Sequence, residues 1–386
     1  MSDGTPAILL ALEEQYAGEG TGVEQETDDF ELDEGPKPWD PEKIRVSTKS
    51  FSLRNIVDMI ANDDLELAPD FQRNKVWKPR QKSRLIESLL LQIPLPAFYF
   101  AEDVDGMLRV VDGLQRLSTI YAYAREESFT LRDLEYLRDE TDKRFSELST
   151  ALQRRLMNAQ IVVHVIDPAT PPDVKYDIFK RINTGGDPLN SMEIRHSMSK
   201  SRSRNFLKKC ISSPVFDEAT GGRLRDHVRM QDREAVLRFV AFRLLPNISE
   251  YDQFGSLDAL LTWANTQLDD PNSVSDEKLE SLFKSFEKAM KNALILFGQH
   301  SFRKWPNDTD RLMPINKAMF ESWSVLLSDF DKKPLEAAQA RIVGLARQAM
   351  TDDAEYISSI SSSTSDPRRV RRRFSLPQEI LSSVLP

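Results

Sequence analysis

The chain has 386 residues, 40% hydrophobic and 29% charged, with 14 Gly and 21 Pro. That is enough for two or three domains, and it excludes collagen-like, disulfide-rich and wholly disordered classes. The net charge of -9 is uneven: residues 1–42 hold thirteen Asp or Glu against one Lys, while the remainder carries 51 Lys or Arg against 48 Asp or Glu.

Residues 1–45 are therefore expected to form an acidic disordered arm that competes with nucleic acid for basic surface elsewhere. A single cysteine, Cys210, rules out an intramolecular disulfide and a Cys-based metal site, and fits a reducing compartment. With no basic n-region and no run of about eighteen apolar residues, a cytoplasmic protein without a membrane partner is expected.

Past the arm, Phe51, Leu53, Ile56, Val57 and Ile60 recur at helical spacing, with Ser52 placed as a cap. Pro79 opens a second helix whose apolar face is Leu85, Ile86, Leu89 and Leu90, and which must stop before Pro94. Residues 97–101 and 108–111 read as antiparallel strands joined through Asp105-Gly106. A helix follows from about Gln115 to Arg125, then a polar helical region, a strand at 161–166 and a helix through Tyr176 to Ile182. Beyond Pro188 strand signals fade, and residues 235–245, 257–268, 279–297 and 335–350 all carry helical periodicity. The expected organisation is an α+β domain over 46–188, an all-α helical domain over 189–350, and a Ser-rich linker with a basic tail over 351–386.

The chemistry concentrates in three segments. In residues 109–120, Asp112 ends a strand, Gly113 makes the turn, and Gln115 and Arg116 open a helix. Unpaired N–H groups and the positive end of the helix dipole favour an anion there, and Gly113 allows close backbone approach. Arg116 can grip phosphate, and Asp112 can hold Mg²⁺ or orient an attacking water. The same residues equally suit a plain strand-to-helix turn in which Arg116 pairs with Asp112 for structure alone. Gln72 and Arg73, ahead of Trp77, can contact a base edge or phosphate, while Trp77 itself suits a core. Arg181, Asn183 and Thr184 precede Gly185-Gly186, which can form a backbone nest for an anion or simply cap a helix.

Taken in order, Pro-x-Phe-Gln-Arg and Trp, Leu-Ile-Glu-Ser-Leu-Leu with Ile-Pro-Leu-Pro, Val-Val-Asp-Gly-Leu-Gln-Arg-Leu, and Phe-x-Arg-x-Asn-Thr-Gly-Gly-x-Pro-Leu-Asn resemble the N-terminal domain family of GmrSD-type modification-dependent restriction proteins. The resemblance covers roughly residues 46–345. It implies a ParB/sulfiredoxin-like fold and a nucleoside triphosphate bound with Mg²⁺. Asp112, Gln115 and Arg116 would be catalytic, and Asp112 the metal ligand. Gln72, Arg73, Gly113, Arg181, Asn183, Thr184 and Gly185 would bind nucleotide. Here Leu114 stands where the family's Asp-Gly-Gln-Gln-Arg motif has its first Gln, so hydrolysis is less secure than binding.

The implied function is a nucleotide-binding, NTP-hydrolysing regulator of a DNA-targeting or anti-phage system that works on DNA with a separate effector protein. The alternative is a non-catalytic DNA-binding or adaptor protein with a degenerate nucleotide site. The four histidines, His164, His196, His227 and His300, are widely separated, so no H-N-H nuclease site is expected. His164, inside an apolar strand, reads as a core residue. Two basic stretches, 195–209 and 223–233, offer phosphate contacts or solvated helix faces.

Overall fold

The computed structural model describes residues 12–16, 18–26, 44–67, 77–182 and 189–385. They fall into two compact units, one within Lys37–Met198 and the other made of Ser199–Pro386 together with the N-terminal segment.

That segment corrects the first expectation. Two strands, β1 (Glu13–Tyr16) and β2 (Glu19–Glu24), form an antiparallel hairpin in the middle of the acidic arm. Val23 is fully buried and Glu24 nearly so. The segment lacks apolar alternation, and what orders it is tertiary: β2 meets Ile315, and its carboxylates meet buried cations.

The first unit is built on a five-stranded mixed sheet. Strand β3 (Val46–Ser52) runs directly into helix α1 (Leu53–Ala61), whose cap is Ser52, its hydroxyl accepting from the Asn55 amide at 3.2 Å. The short strand β4 (Leu65–Glu66) follows, then α2 (Pro79–Leu90), with Pro79 in its first turn and the Gln81 side chain accepting from the Lys78 amide. Strands β5 (Phe98–Glu102) and β6 (Leu108–Asp112) form the expected hairpin, with Gly106 at positive φ in its turn. Helices α3 (Leu114–Ala124) and α4 (Thr150–Asn158), strand β7 (Gln160–Ile166), and helices α5 (Pro172–Ile182) and α6 (Ser191–Met198) complete the unit.

The strand order is β3-β7-β5-β6-β4. Pairs β3–β7 and β5–β6 are antiparallel, while β5–β7 and β4–β6 are parallel. One face of the sheet, with Phe98, Phe100, Val110, Val163 and Val165, packs with α1 to α4 into the main core. The smaller cluster joins Ala101, Val111 and Ile166 to Tyr176 and Phe179 of α5 and Ile194 of α6. Since α6 belongs here, this unit runs past the expected boundary at residue 188.

The second unit is helical. Helices α7 (Ser201–Ile211), α8 (Pro214–Thr220), α9 (Gln231–Leu244), α10 (Leu257–Asp269), α11 (Asp276–Phe297), α12 (Lys317–Leu327) and α13 (Lys332–Asp352) are followed by α14 (Ala354–Ser359) and α15 (Pro367–Val384). The expected linker and basic tail are thus helices packed on this unit. Val370, Phe374 and Leu381 are buried, and Arg373 is fully enclosed against Glu321. The arginines that suggested a tail are paired, Arg371 with Asp252 and Arg372 with Asp353. No helix among the described residues is long and apolar enough to cross a membrane.

Candidate functional site

At the end of β6 the chain must turn sharply into α3, and Gly113 makes this possible. Its φ of 98° lies in the left-handed region, and a Cβ on it would stand 2.3 Å from Cδ1 of Phe98. No L-residue with a side chain fits both conditions. Asp112 is thereby presented at the strand tip, one step from the N-terminus of α3, which has no side-chain cap.

Arg116 is held from four directions. Its guanidinium donates to Asp112 Oδ2 at 2.9 Å, to the Ala97 carbonyl at 3.2 Å and to the Pro96 carbonyl, and it lies 4.1 Å from the centroid of the Phe98 ring. Burial pulls its pKa down, and Asp112 pushes back. A guanidinium so engaged orients Asp112 and ties the loop before β5 to the turn. Asp112 is about one-third exposed at 37%, and its Oδ1 has no hydrogen bond among the described residues.

Strand register places Asp112 in one row with His164 and with two residues that the sequence did not single out, Thr48 and Tyr99. Thr48, His164, Tyr99 and Asp112 are successive partners across β3, β7, β5 and β6. The rung is polar: Thr48 Oγ1 lies 3.0 Å from His164 Nδ1, and the Tyr99 and His164 rings are 4.9 Å apart. A bulge between Tyr99 and Phe100 lets Asp112 join the rung while Val111 keeps to the smaller core cluster. His164, expected in the core, is instead half-buried in this row. Its apolar neighbours concealed this: His164 alternates with the core residues Val163 and Val165, and it shares its face with Val162 and Ile166, which gives no polar pattern to detect.

Arg181 sits in the last turn of α5, a helix that packs against β6. Gln115 is in the first turn of α3, and Leu114 packs against the main core. Gln72, Arg73, Asn183, Thr184 and Gly185 lie outside the described residues. Trp77, expected in a core, packs partly buried against the main cluster. No group of three or more His, Cys, Asp or Glu suited to a metal occurs among the described residues. Mg²⁺ commonly takes only one or two carboxylates and draws its other ligands from phosphate and water, so Asp112 alone meets that requirement.

The basic stretches are less open than their charge implies. Arg195 is buried and donates to the Tyr176 hydroxyl, Arg202 pairs with Asp276, and Lys209 pairs with Glu280. The 223–233 stretch lies under the N-terminal hairpin, where His227 Nε2 is 3.1 Å from the Thr21 carbonyl and Arg229 lies over the Tyr16 ring.

The first unit is thus a mixed-sheet domain that presents an Asp-Gly-x-Gln-Arg strand–turn–helix, and a mostly helical region follows it. Residues 53–199 match the family model described as GmrSD restriction endonuclease, N-terminal domain, so this part of the chain is a GmrSD-type N-terminal domain. The match begins at α1 and ends just after α6. No curated protein and no solved structure matches the chain.

Proposed function

We propose that this chain is a nucleotide-regulated protein of a DNA-targeting restriction or anti-phage system, acting on DNA with a separate effector. The first unit, read as ParB/sulfiredoxin-like, binds a nucleoside triphosphate. The observation that carries the proposal is the tip of β6. There Arg116 fixes one oxygen of Asp112, the other oxygen carries no hydrogen bond among the described residues, and α3 starts one residue further on without a side-chain cap.

In this reading Arg116 is a positioning residue, because its donors are already directed at Asp112 and at two carbonyls. Asp112 holds Mg²⁺ together with the phosphate oxygens, and the bound ion neutralises their charge. The amides opening α3 and the close backbone approach at Gly113 receive the anion, while Gln115 is placed to orient a water. Arg181, with Gln72, Arg73, Asn183, Thr184 and Gly185, completes the nucleotide contacts.

The test is calorimetry with a non-hydrolysable NTP and Mg²⁺, alongside phosphate release. Asp112→Asn should abolish the Mg²⁺ dependence of binding and slow turnover more than it weakens affinity. Wild-type protein that takes up no nucleotide at millimolar concentration would end this reading.

A second reading, a non-catalytic DNA-binding or adaptor protein, has a specific observation in its favour. Leu114 packs on the main core and Arg116 is fully engaged, as in a turn kept for structure. It predicts that Asp112→Asn and Arg116→Ala lower the melting temperature and leave DNA or partner binding intact.

A further inference from the structure

The helical unit carries a second concentration of charge, distinct from the Asp112 turn, and the N-terminal hairpin lies on it. Glu26 accepts from both Nη atoms of Arg238, at 2.9 and 2.6 Å, and from the Thr364 hydroxyl at 3.0 Å, and it pairs with Lys317 at 2.8 Å. Glu24 pairs with Lys304 at 2.6 Å and accepts from Asn316 at 3.0 Å. Glu14 accepts from Gln231 at 3.0 Å. Arg223 lies against Gly22, and Arg229 over Tyr16. Four cations of the helical unit, Arg229, Arg238, Lys304 and Lys317, therefore converge beneath one short acidic segment.

Two features show what such a groove is suited to hold. First, the forked contact of Arg238 with Glu26, flanked by a lysine and a hydroxyl, is a donor set that also receives a phosphate group; Glu234 balances part of this charge, meeting Arg238 at 2.7 Å and Lys317 at 3.2 Å, and Glu321 meets Arg238 at 3.3 Å. Glu24 and Glu26 both point inward while Gln25 between them is exposed. Two anions about 6.6 Å apart along an extended chain thus enter the groove, as neighbouring phosphates of an extended strand would. Second, the segment is held by charge more than by apolar burial. Val23 is its one buried hydrophobic side chain among the described residues, and Leu12 is 65% exposed. Contacts of this kind can be exchanged one for one with the phosphates of a competing polyanion, which a hydrophobic anchor does not allow.

We propose that the residue 12–26 hairpin is a built-in pseudo-ligand: its carboxylates occupy a phosphate-binding groove formed by Arg229, Arg238, Lys304 and Lys317, and the backbone of a nucleic acid takes the groove when the hairpin leaves. The proposal rests on the DNA-targeting half of the function above and is independent of its nucleotide half. The hairpin is then an autoinhibitory contact, and whatever draws it away licenses nucleic-acid binding by the helical unit.

The experiment compares three forms of the full-length chain by fluorescence anisotropy with labelled single-stranded and duplex oligonucleotides across a salt series. The wild type is the closed reference. Glu24→Gln/Glu26→Gln keeps the shape and removes the charge that holds the hairpin down. Val23→Cys/Ile315→Cys places two thiols on residues that already pair as neighbouring strands, and the native Cys210 is buried and does not compete.

The Gln double variant should bind DNA about tenfold or more tightly than wild type at low salt. The gain should shrink as salt rises, with a slope steeper by about two for the two phosphates that replace two carboxylates. The oxidised Cys pair should not bind, and its reduced form should bind as wild type does. Adding Arg229→Gln and Lys304→Gln to the Gln variant should reverse the gain. Equal affinity of wild type and a folded Gln variant, or of oxidised and reduced Cys pairs, would overturn the proposal while leaving the DNA-targeting function standing. If no form binds DNA but the opened form binds a poly-Glu peptide, the groove serves a protein, and the DNA half of the proposed function falls with this inference.

Discussion

At the scale of single residues, the turn after β6 depends on the absence of a side chain at one position and on one guanidinium. Gly113→Ala combines a positive φ with a ring at 2.3 Å, so we expect a loss of about 2–4 kcal/mol in chemical denaturation. Arg116→Lys keeps the charge but cannot form a planar fork toward Asp112 and two carbonyls at once. It should lower the melting temperature, and Asp112 should lose its fixed orientation. A nucleotide affinity reduced without any loss of stability would instead show that Arg116 grips the ligand directly. Asp232, in the first turn of α9, supplies a pH-dependent prediction. Burial raises its pKa to about 6, with Arg233 opposing. The folded state then binds this proton more tightly than the unfolded state does, so the stability that Asp232 contributes is fully present below about pH 4 and is lost as pH rises toward 6. The penalty at neutral pH is about 3 kcal/mol. Asp232→Asn should flatten that part of the stability profile, and a profile unchanged between pH 4 and 7 would contradict it.

Among the elements, legibility followed periodicity. Helix α2 with Pro79, the Ser52 cap, the β5–β6 hairpin at Asp105-Gly106 and strand β7 were readable, because apolar spacing and turn residues are local signals. The turn at Asp112 was readable for the same reason, since strand, Gly and helix start are adjacent in sequence. What escaped is held by tertiary charge or register. Strand β3 is an edge strand with mostly exposed side chains, so it carries no alternation to detect. The polar rung through His164 needs the pairing of four strands, which sequence order does not supply. The β1–β2 hairpin and α15 were misread because runs of Glu and Arg suggest solvent until their partners are known. In α15, Arg373 is fully buried against Glu321, which also meets Arg238 at 3.3 Å. Removing one member of a buried pair strands the other. Arg373→Met alone should cost about 3–5 kcal/mol in denaturant unfolding, and the double variant with Glu321→Met should recover much of that loss. Additive losses would show that the two residues are not coupled.

For the whole molecule, the division of the -9 net charge acquires a physical meaning. Part of the acidic N-terminal segment neutralises buried cations of the helical unit, at Glu24 with Lys304 and at Glu26 with Arg238 and Lys317. Burial alone would raise the Glu26 carboxyl, but the two cations overcome this and hold it well below the ordinary range. Residues from both ends of the sequence thus complete one fold, and the sheet unit has a hydrophobic core of its own. This separates the consequences of deleting α15. A chain ending at Asp366 loses Val370, Phe374 and Leu381 from the interior, the contact of Phe374 with Phe242 at 4.8 Å, and the counter-charge of Glu321. Each loss belongs to the helical unit, whose Trp323 is fully buried and donates to the Tyr356 hydroxyl. We expect the truncated protein to show the red-shifted tryptophan emission of an opened helical unit and to lose that unit's calorimetric transition. The sheet unit should keep its transition, and any nucleotide binding with it, because nothing in its core has been removed. A truncated chain that retains both transitions and a blue-shifted emission would return residues 367–385 to the status of a dispensable basic tail.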